Sequence, residues 1–273
     1  MIRTPFTELF GIEHPVVCAG MGGGHTDGDL VGRVSEAGAL GVIGASFVPR
    51  ENLDEIVRRA RQITSKPIGI NLLLHATEER LDEVLGAEPA VLSTAWPRDD
   101  QDLEAIFAKA HDRGIRVMHM VQRVEDAVRA AGAGADVIVA QGNEGGGHVG
   151  EMATTVIVRQ VVKGVAPTPV LAAGGFTDGA GLASALALGA DGVVLGTRFI
   201  EEWLGREPEL RRRREEVWAK LEAAEESDPD YGLMWFGQSA GLIDSILPAA
   251  VVVQQIVDDA EEILRSRVPR LLT

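Results

Sequence analysis

Short, almost wholly apolar runs alternate along this chain with longer segments in which apolar residues recur every three or four positions. The runs lie at residues 15–19, 40–43, 67–71, 90–93, 115–119, 137–140, 169–172 and 192–195. Because they are continuously apolar rather than alternating, they predict strands buried on both faces, as in a parallel sheet covered by helices. Residues 51–64, 99–113 and 124–133 carry apolar side chains on one face at helical spacing and charges on the other. Strand and helix therefore alternate throughout. Eight such units can close, so the expected fold is α/β, a (β/α)8 TIM barrel, with an open doubly wound sheet as the alternative.

After Thr197 the pattern changes. Residues 207–226 read as a charged helix rich in Arg and Glu, Asp228-Pro229-Asp230 breaks it, and Trp235-Phe236-Gly237-Gln238-Ser239-Ala240-Gly241 leads into a last amphipathic helix over about residues 249–265. The expectation is one domain over residues 1–273, with residues 203–273 as a C-terminal helical extension packed on the barrel. The tail helices are also a candidate homodimer surface.

Composition narrows the class. Hydrophobic residues make up 45% and aromatics 4%, and there are 32 glycines, which fits an aliphatic core crossed by many tight turns. A net charge of −15 repels polyanions, so neither nucleic acid nor an anionic membrane is an expected partner. Cys18 is the single cysteine and cannot form an internal disulfide. The N-terminus lacks a basic segment followed by an apolar signal core, and no run of about 18 apolar residues could span a bilayer. The expected location is cytoplasmic.

Candidate chemistry gathers at the strand ends, which converge on one face of such a barrel. Met21, Asn71, Ser93, His119, Gln141, Gly174 and Gly196 are expected around that mouth. The stretch Gln141-Gly142-Asn143-Glu144-Gly145-Gly146-Gly147-His148-Val149-Gly150 opens directly from the sixth strand. Consecutive glycines there let main-chain N–H groups approach a ligand while one imidazole, His148, stands beside it. Ala172-Ala173-Gly174-Gly175-Phe176 and Leu195-Gly196-Thr197-Arg198 end strands seven and eight, where barrels of this type commonly hold a phosphate. Trp96 offers a large apolar wall for a substrate pocket and His119 a polar group near it. Cys18 reads as a buried small hydrophobe. His25, His75 and His119 are too scattered to form a metal site, so none is expected.

These motifs together resemble the nitronate monooxygenase family, formerly called 2-nitropropane dioxygenases, which are FMN-dependent barrels. The resemblance rests on Gln141-Gly142 through His148-Val149-Gly150, on Ala172 through Phe176, and on residues 185–193 leading to Gly196-Thr197. It implies that Met21 and Gly22 border the flavin ring and that Asn71 and Gln141 hydrogen-bond its polar edge or ribityl chain. It further implies that Gly146 permits close approach and that Gly174, Gly175, Gly196 and Thr197 cradle the phosphate. His148 matches the family's active-site histidine. The implied reaction is oxidation of alkyl nitronates with O2 to a carbonyl compound and nitrite. Ala19-Gly20-Met21 stands where the family usually has Ala-Pro-Met, Gly145 replaces a common alanine, and Ser93-Thr94-Ala95-Trp96-Pro97 departs from the usual fourth loop. The chain also resembles flavin-dependent enoyl-thioester reductases that act on acyl carrier protein or coenzyme A thioesters. Gly237-Gln238-Ser239-Ala240-Gly241-Leu242 belongs to that second resemblance.

Overall fold

In the computed structural model, which describes residues 1–22, 25–46, 48–147, 149–196 and 237–271, the apolar runs form eight parallel strands. They are β1 (Val16–Cys18), β2 (Leu40–Gly44), β3 (Ile68–Leu73), β4 (Val91–Ala95), β5 (Arg116–Val121), β6 (Val137–Gln141), β7 (Val170–Ala173) and β8 (Gly192–Leu195). Each pairs with its neighbour in sequence, and β1 pairs with β8 to close the barrel. The protein is a TIM barrel.

Barrel closure divides the strand residues into two apolar sets. Val17, Leu40, Val42, Val91, Met118, Val137, Val139, Leu171 and Val194 fill the interior. Val16, Cys18, Ile43, Ile70, Leu92, Val117, Ile138 and Val193 belong to the second set, packed with the surrounding helices. Cys18 is fully buried in that outer layer, and burial raises its thiol pKa.

The floor carries a helix that periodicity does not reveal, α1 (Pro5–Phe10). Thr4 caps it reciprocally with Thr7, Pro5 occupies the first turn, and the Thr4 hydroxyl donates to the Asp191 carbonyl at 2.8 Å. Phe6 and Phe10, with rings 5.2 Å apart, are thereby set into the inner core.

Around the strands run α2 (Gly28–Glu36), α3 (Arg50–Ile63), α4 (Leu74–Thr77), α5 (Leu81–Gly86), α6 (Leu103–His111), α7 (Val124–Gly132), α8 (Thr154–Val165) and α9 (Gly179–Ala187). The helix expected from residue 99 starts at Leu103, because the Asp102 carboxylate accepts from the Ala105 N–H at 3.1 Å and fixes the first turn there. Near the C-terminus, α10 (Ala249–Glu262) buries Val252, Val253, Ile256, Val257 and Ala260. It packs on α9 and α2, and it lies so close to α9 that a Cβ on Gly179 would stand 2.4 Å from that of Asp259. The charged segment expected over residues 207–226 falls outside the described residues. Among the described residues no helix is long and apolar enough to cross a membrane.

Candidate active site

At the C-terminal ends of the strands the inward column changes from apolar to polar. On β3 the outward residues Ile68, Ile70 and Leu72 alternate with Asn71, which is 5% exposed and donates its side-chain amide to the Ser93 hydroxyl at 3.1 Å. β1 leaves the barrel through Ala19-Gly20-Met21. A Cβ on Gly20 would lie 2.5 Å from the Asn71 Cβ, so only glycine lets this turn pass Asn71. The buried Thr26 hydroxyl ties the turn to β2: it donates to the Met21 carbonyl at 3.0 Å and accepts from the Gly44 N–H at 2.8 Å. Met21 and Gly196 meet across the barrel seam, where a Cβ on Gly196 would be 3.6 Å from the Met21 sulfur.

Gln141, the last residue of β6, holds the glycine-rich loop in place. Its amide donates to the Gly146 carbonyl at 3.2 Å, and its oxygen accepts from the Gln122 amide at 3.0 Å. Glu144 performs a second fastening. Ala153 cannot cap α8 with its side chain, and the Glu144 carboxylate supplies that function by accepting from the Thr154 N–H at 2.8 Å and from the Thr154 hydroxyl. Behind it, the Glu144 carbonyl accepts from the Gln238 N–H at 2.9 Å, and Gly237 packs so tightly that a Cβ there would be 2.5 Å from that oxygen. The tail segment thus latches onto the loop that opens from β6.

The loop after β7 interlocks with the same assembly. Gly174 and Gly175 adopt φ of +99° and +83°, left-handed values that a side chain would oppose. Two residues on, the Thr177 hydroxyl is buried with no hydrogen-bond partner, beside the Asp178 carboxylate that caps α9 through the Gly181 N–H at 2.8 Å.

The structure brings together Met21, Asn71, Gln141, Gly146, Gly174, Gly175 and Gly196, with Gly22 beside Met21. His148 and Thr197 lie outside the described residues. His119 is not at the mouth. The neighbouring β5 residues Met118 and Met120 belong to the interior set, whereas His119 is 1% exposed, with its ring 5.6 Å from that of Phe107 on α6. Its Nδ1 shares a 2.7 Å hydrogen bond with the Thr94 hydroxyl, and burial pushes its pKa down to about 4. The expectation failed because successive strand residues face opposite sides of the sheet.

Trp96, directly after β4, has φ +51° and a half-buried indole. Sequence reasoning missed Thr26, Gln122 and Thr154, which tie together segments distant in sequence, and the buried hydroxyl of Thr177. A Thr preceding a capping Asp, as in Thr177-Asp178, was the only local signal. Among the described residues no group of three or more His, Cys, Asp or Glu is placed to hold a metal ion.

A barrel with a neutral amide and hydroxyl rim, two interlocked glycine loops and a buried free hydroxyl after β7 defines a ligand-binding α/β barrel of the enzyme type. The chain belongs to the nitronate monooxygenase family, whose pattern it matches over residues 3–83 and 77–202. It is 38% identical over 217 residues to (3aS,4S,5R,7aS)-5-hydroxy-7a-methyl-1-oxo-octahydro-1H-indene-4-carboxyl-CoA dehydrogenase from Mycobacterium tuberculosis, an alignment covering 78% of this chain and 60% of that protein. It is 30% identical to a probable nitronate monooxygenase from Staphylococcus aureus, covering 77% of this chain and 71% of that one. FabK from Thermotoga maritima superposes with a TM-score of 0.84 at 29% identity, covering 99% of this chain and all of that one. These relatives are named as oxidoreductases where their names state a reaction.

Proposed function

We propose that this chain is an FMN-dependent oxidoreductase of acyl thioesters, acting on the carbon–carbon bond next to a coenzyme A thioester. The observation that carries this choice is the identity of 38% to the relative named as a carboxyl-CoA dehydrogenase, against 30% to the one named as a probable nitronate monooxygenase. On that ground we put the thioester chemistry ahead of the nitronate chemistry that the sequence motifs place first.

The residues present suit FMN. Backbone at Gly174, Gly175 and Gly196 would receive the phosphate together with Thr197, and the partnerless Thr177 hydroxyl is a donor on the same loop. Asn71 and Gln141 would serve the polar edge of the ring, with Met21 and Gly22 along its side and Gly146 leaving space. When bound, the flavin supplies two-electron redox capacity that no side chain here possesses. The protein's own work is placement. Neutral amides at Asn71, Gln122 and Gln141 orient polar ligand atoms without placing a fixed charge beside the reacting carbon. His148, which follows Gly147 in the sequence, would take a proton from the substrate carbon or return one.

Nitronate oxidation with O2 is the second reading, favoured by the family match itself. One experiment separates them. Protein reconstituted with FMN is reduced by dithionite without oxygen and mixed with a linear enoyl-CoA; return of the oxidised flavin spectrum supports the thioester reading. If the spectrum stays reduced, while oxidised protein is bleached by an alkyl nitronate, the thioester reading falls and the nitronate reading replaces it.

A further inference from the structure

We propose that Trp96 is a width gate: its indole closes the mouth over the end of β5 and admits only substrates that are slim next to the reacting carbons. This inference draws its probe chemistry from the thioester reading above, but its geometry does not depend on it.

β5 lies between β4 and β6. Trp96 follows β4 and Gly147 belongs to the loop after β6, yet a Cβ on Gly147 would stand 3.9 Å from the Trp96 Cη2. A Cβ on Gly150 would lie 2.9 Å from the Cβ of Gln122, which follows β5, so the loop after β6 leans over the end of β5 and the far edge of the indole reaches that loop from the β4 side. The space left between ring and loop is about that of a single methyl group, so a branched or cyclic group does not pass there.

The ring is held there by its backbone. Trp96 adopts φ +51°, a left-handed conformation rare for a bulky residue. Its carbonyl accepts from the His75 N–H at 3.0 Å, and the His75 ring packs on the indole with centroids 5.9 Å apart. Arg98 donates to the His75 carbonyl at 3.0 Å, while Gln101 accepts from the Arg98 N–H at 2.7 Å and donates to the Leu74 carbonyl at 2.8 Å. Backbone strain survives where its surroundings over-determine it, and such positions cluster at ligand clamps. Here the strained residue is also the one that projects an aromatic ring across the mouth.

The test compares Trp96→Gly, which relieves the left-handed strain, with wild type and with Trp96→Phe, which keeps an aromatic ring but shortens its reach. Flavin-reconstituted proteins are assayed for reoxidation by crotonyl-CoA and by cyclohexene-carboxyl-CoA, and for binding of the two saturated analogues by calorimetry. In wild type the slim thioester should be preferred at least about tenfold. Trp96→Gly should erase that preference by raising the rate and affinity for the cyclic compound, with Trp96→Phe intermediate. A ratio unchanged within about twofold in both variants, or an equal loss for both compounds, overturns the gate. If wild type neither binds nor turns over either thioester, the functional reading has failed instead. The same ratio is then measured on linear and cyclic nitronates, where an unchanged ratio again refutes the gate.

Discussion

The two ends of this barrel are built from the same strands and yet have opposite character. At the floor, Phe6 and Phe10 of α1 sit among Val17, Leu40, Val91 and Val137 in a dry, interlocked plug. At the mouth, the inward positions two or four residues further along the same strands are Gly44, Ser93 and Gln141. One or two strand periods further along, apolar packing gives way to glycine, a hydroxyl or an amide. Stability and chemistry are therefore assigned to different ends of the same strands, a division this fold permits because its rim loops are not needed to close the sheet.

That division is breakable by mutation. The largest stability effect should come from the floor: Phe6→Ala removes a fully buried ring and should cost about 3–5 kcal/mol in urea unfolding, while the folded fraction should bind added flavin as the wild type does. A large loss of flavin affinity in that variant, relative to wild type, would refute the separation of the two ends.

Next comes the helix layer. In the unfolded chain His119 titrates near the ordinary value of about 6.5, whereas burial holds it near 4 in the folded protein. As pH falls, the unfolded state gains this proton first, so stability is full above about pH 6.5 and declines by roughly 3 kcal/mol as pH falls to about 4. His119→Gln should flatten that decline relative to wild type when urea midpoints are compared at neutral and acidic pH. The same variant should keep turnover within about twofold, since the side chain faces Phe107 and not the mouth; a tenfold loss would contradict its outward placement.

Glu144→Gln sharpens the account of the rim. It weakens the cap on α8 by about 1–2 kcal/mol and should lower kcat more than it raises KM, because the loop preceding His148 loses its fastening. Equal kcat in the variant and the wild type would reduce Glu144 to a helix cap. The smallest effect is expected from Ser93→Ala, which removes the hydroxyl partner of Asn71: about 1 kcal/mol of stability and a few-fold loss of flavin affinity, read by thermal melting and by flavin titration.

Much of the framework was legible because the strand runs are apolar and regularly spaced, and because glycine clusters mark their exits. Two features were not. From Val117 to His119 the run is buried on both faces, so its composition carries no phase, and nothing local says that Met118 and Met120 turn inward while His119 turns out. The α1 plug is too short to show a helical period; only its Thr-Pro start and the Thr4–Thr7 capping pair announce it. The fastening of Glu144 by Thr154 and Gln238 was invisible for another reason, since it joins groups with no sequence relation.

By itself the sequence determined the order of the strands, the glycine-rich exits and the polar residues Asn71 and Gln141 near the C-terminal ends of theirs. Those are properties of short segments, set by hydrophobic burial and backbone freedom. Tertiary structure alone decided which way each strand faces, which loops interlock and where the Trp96 indole lands. Facing is fixed only when hydrogen-bond register closes all eight strands at once, and no single segment contains that condition.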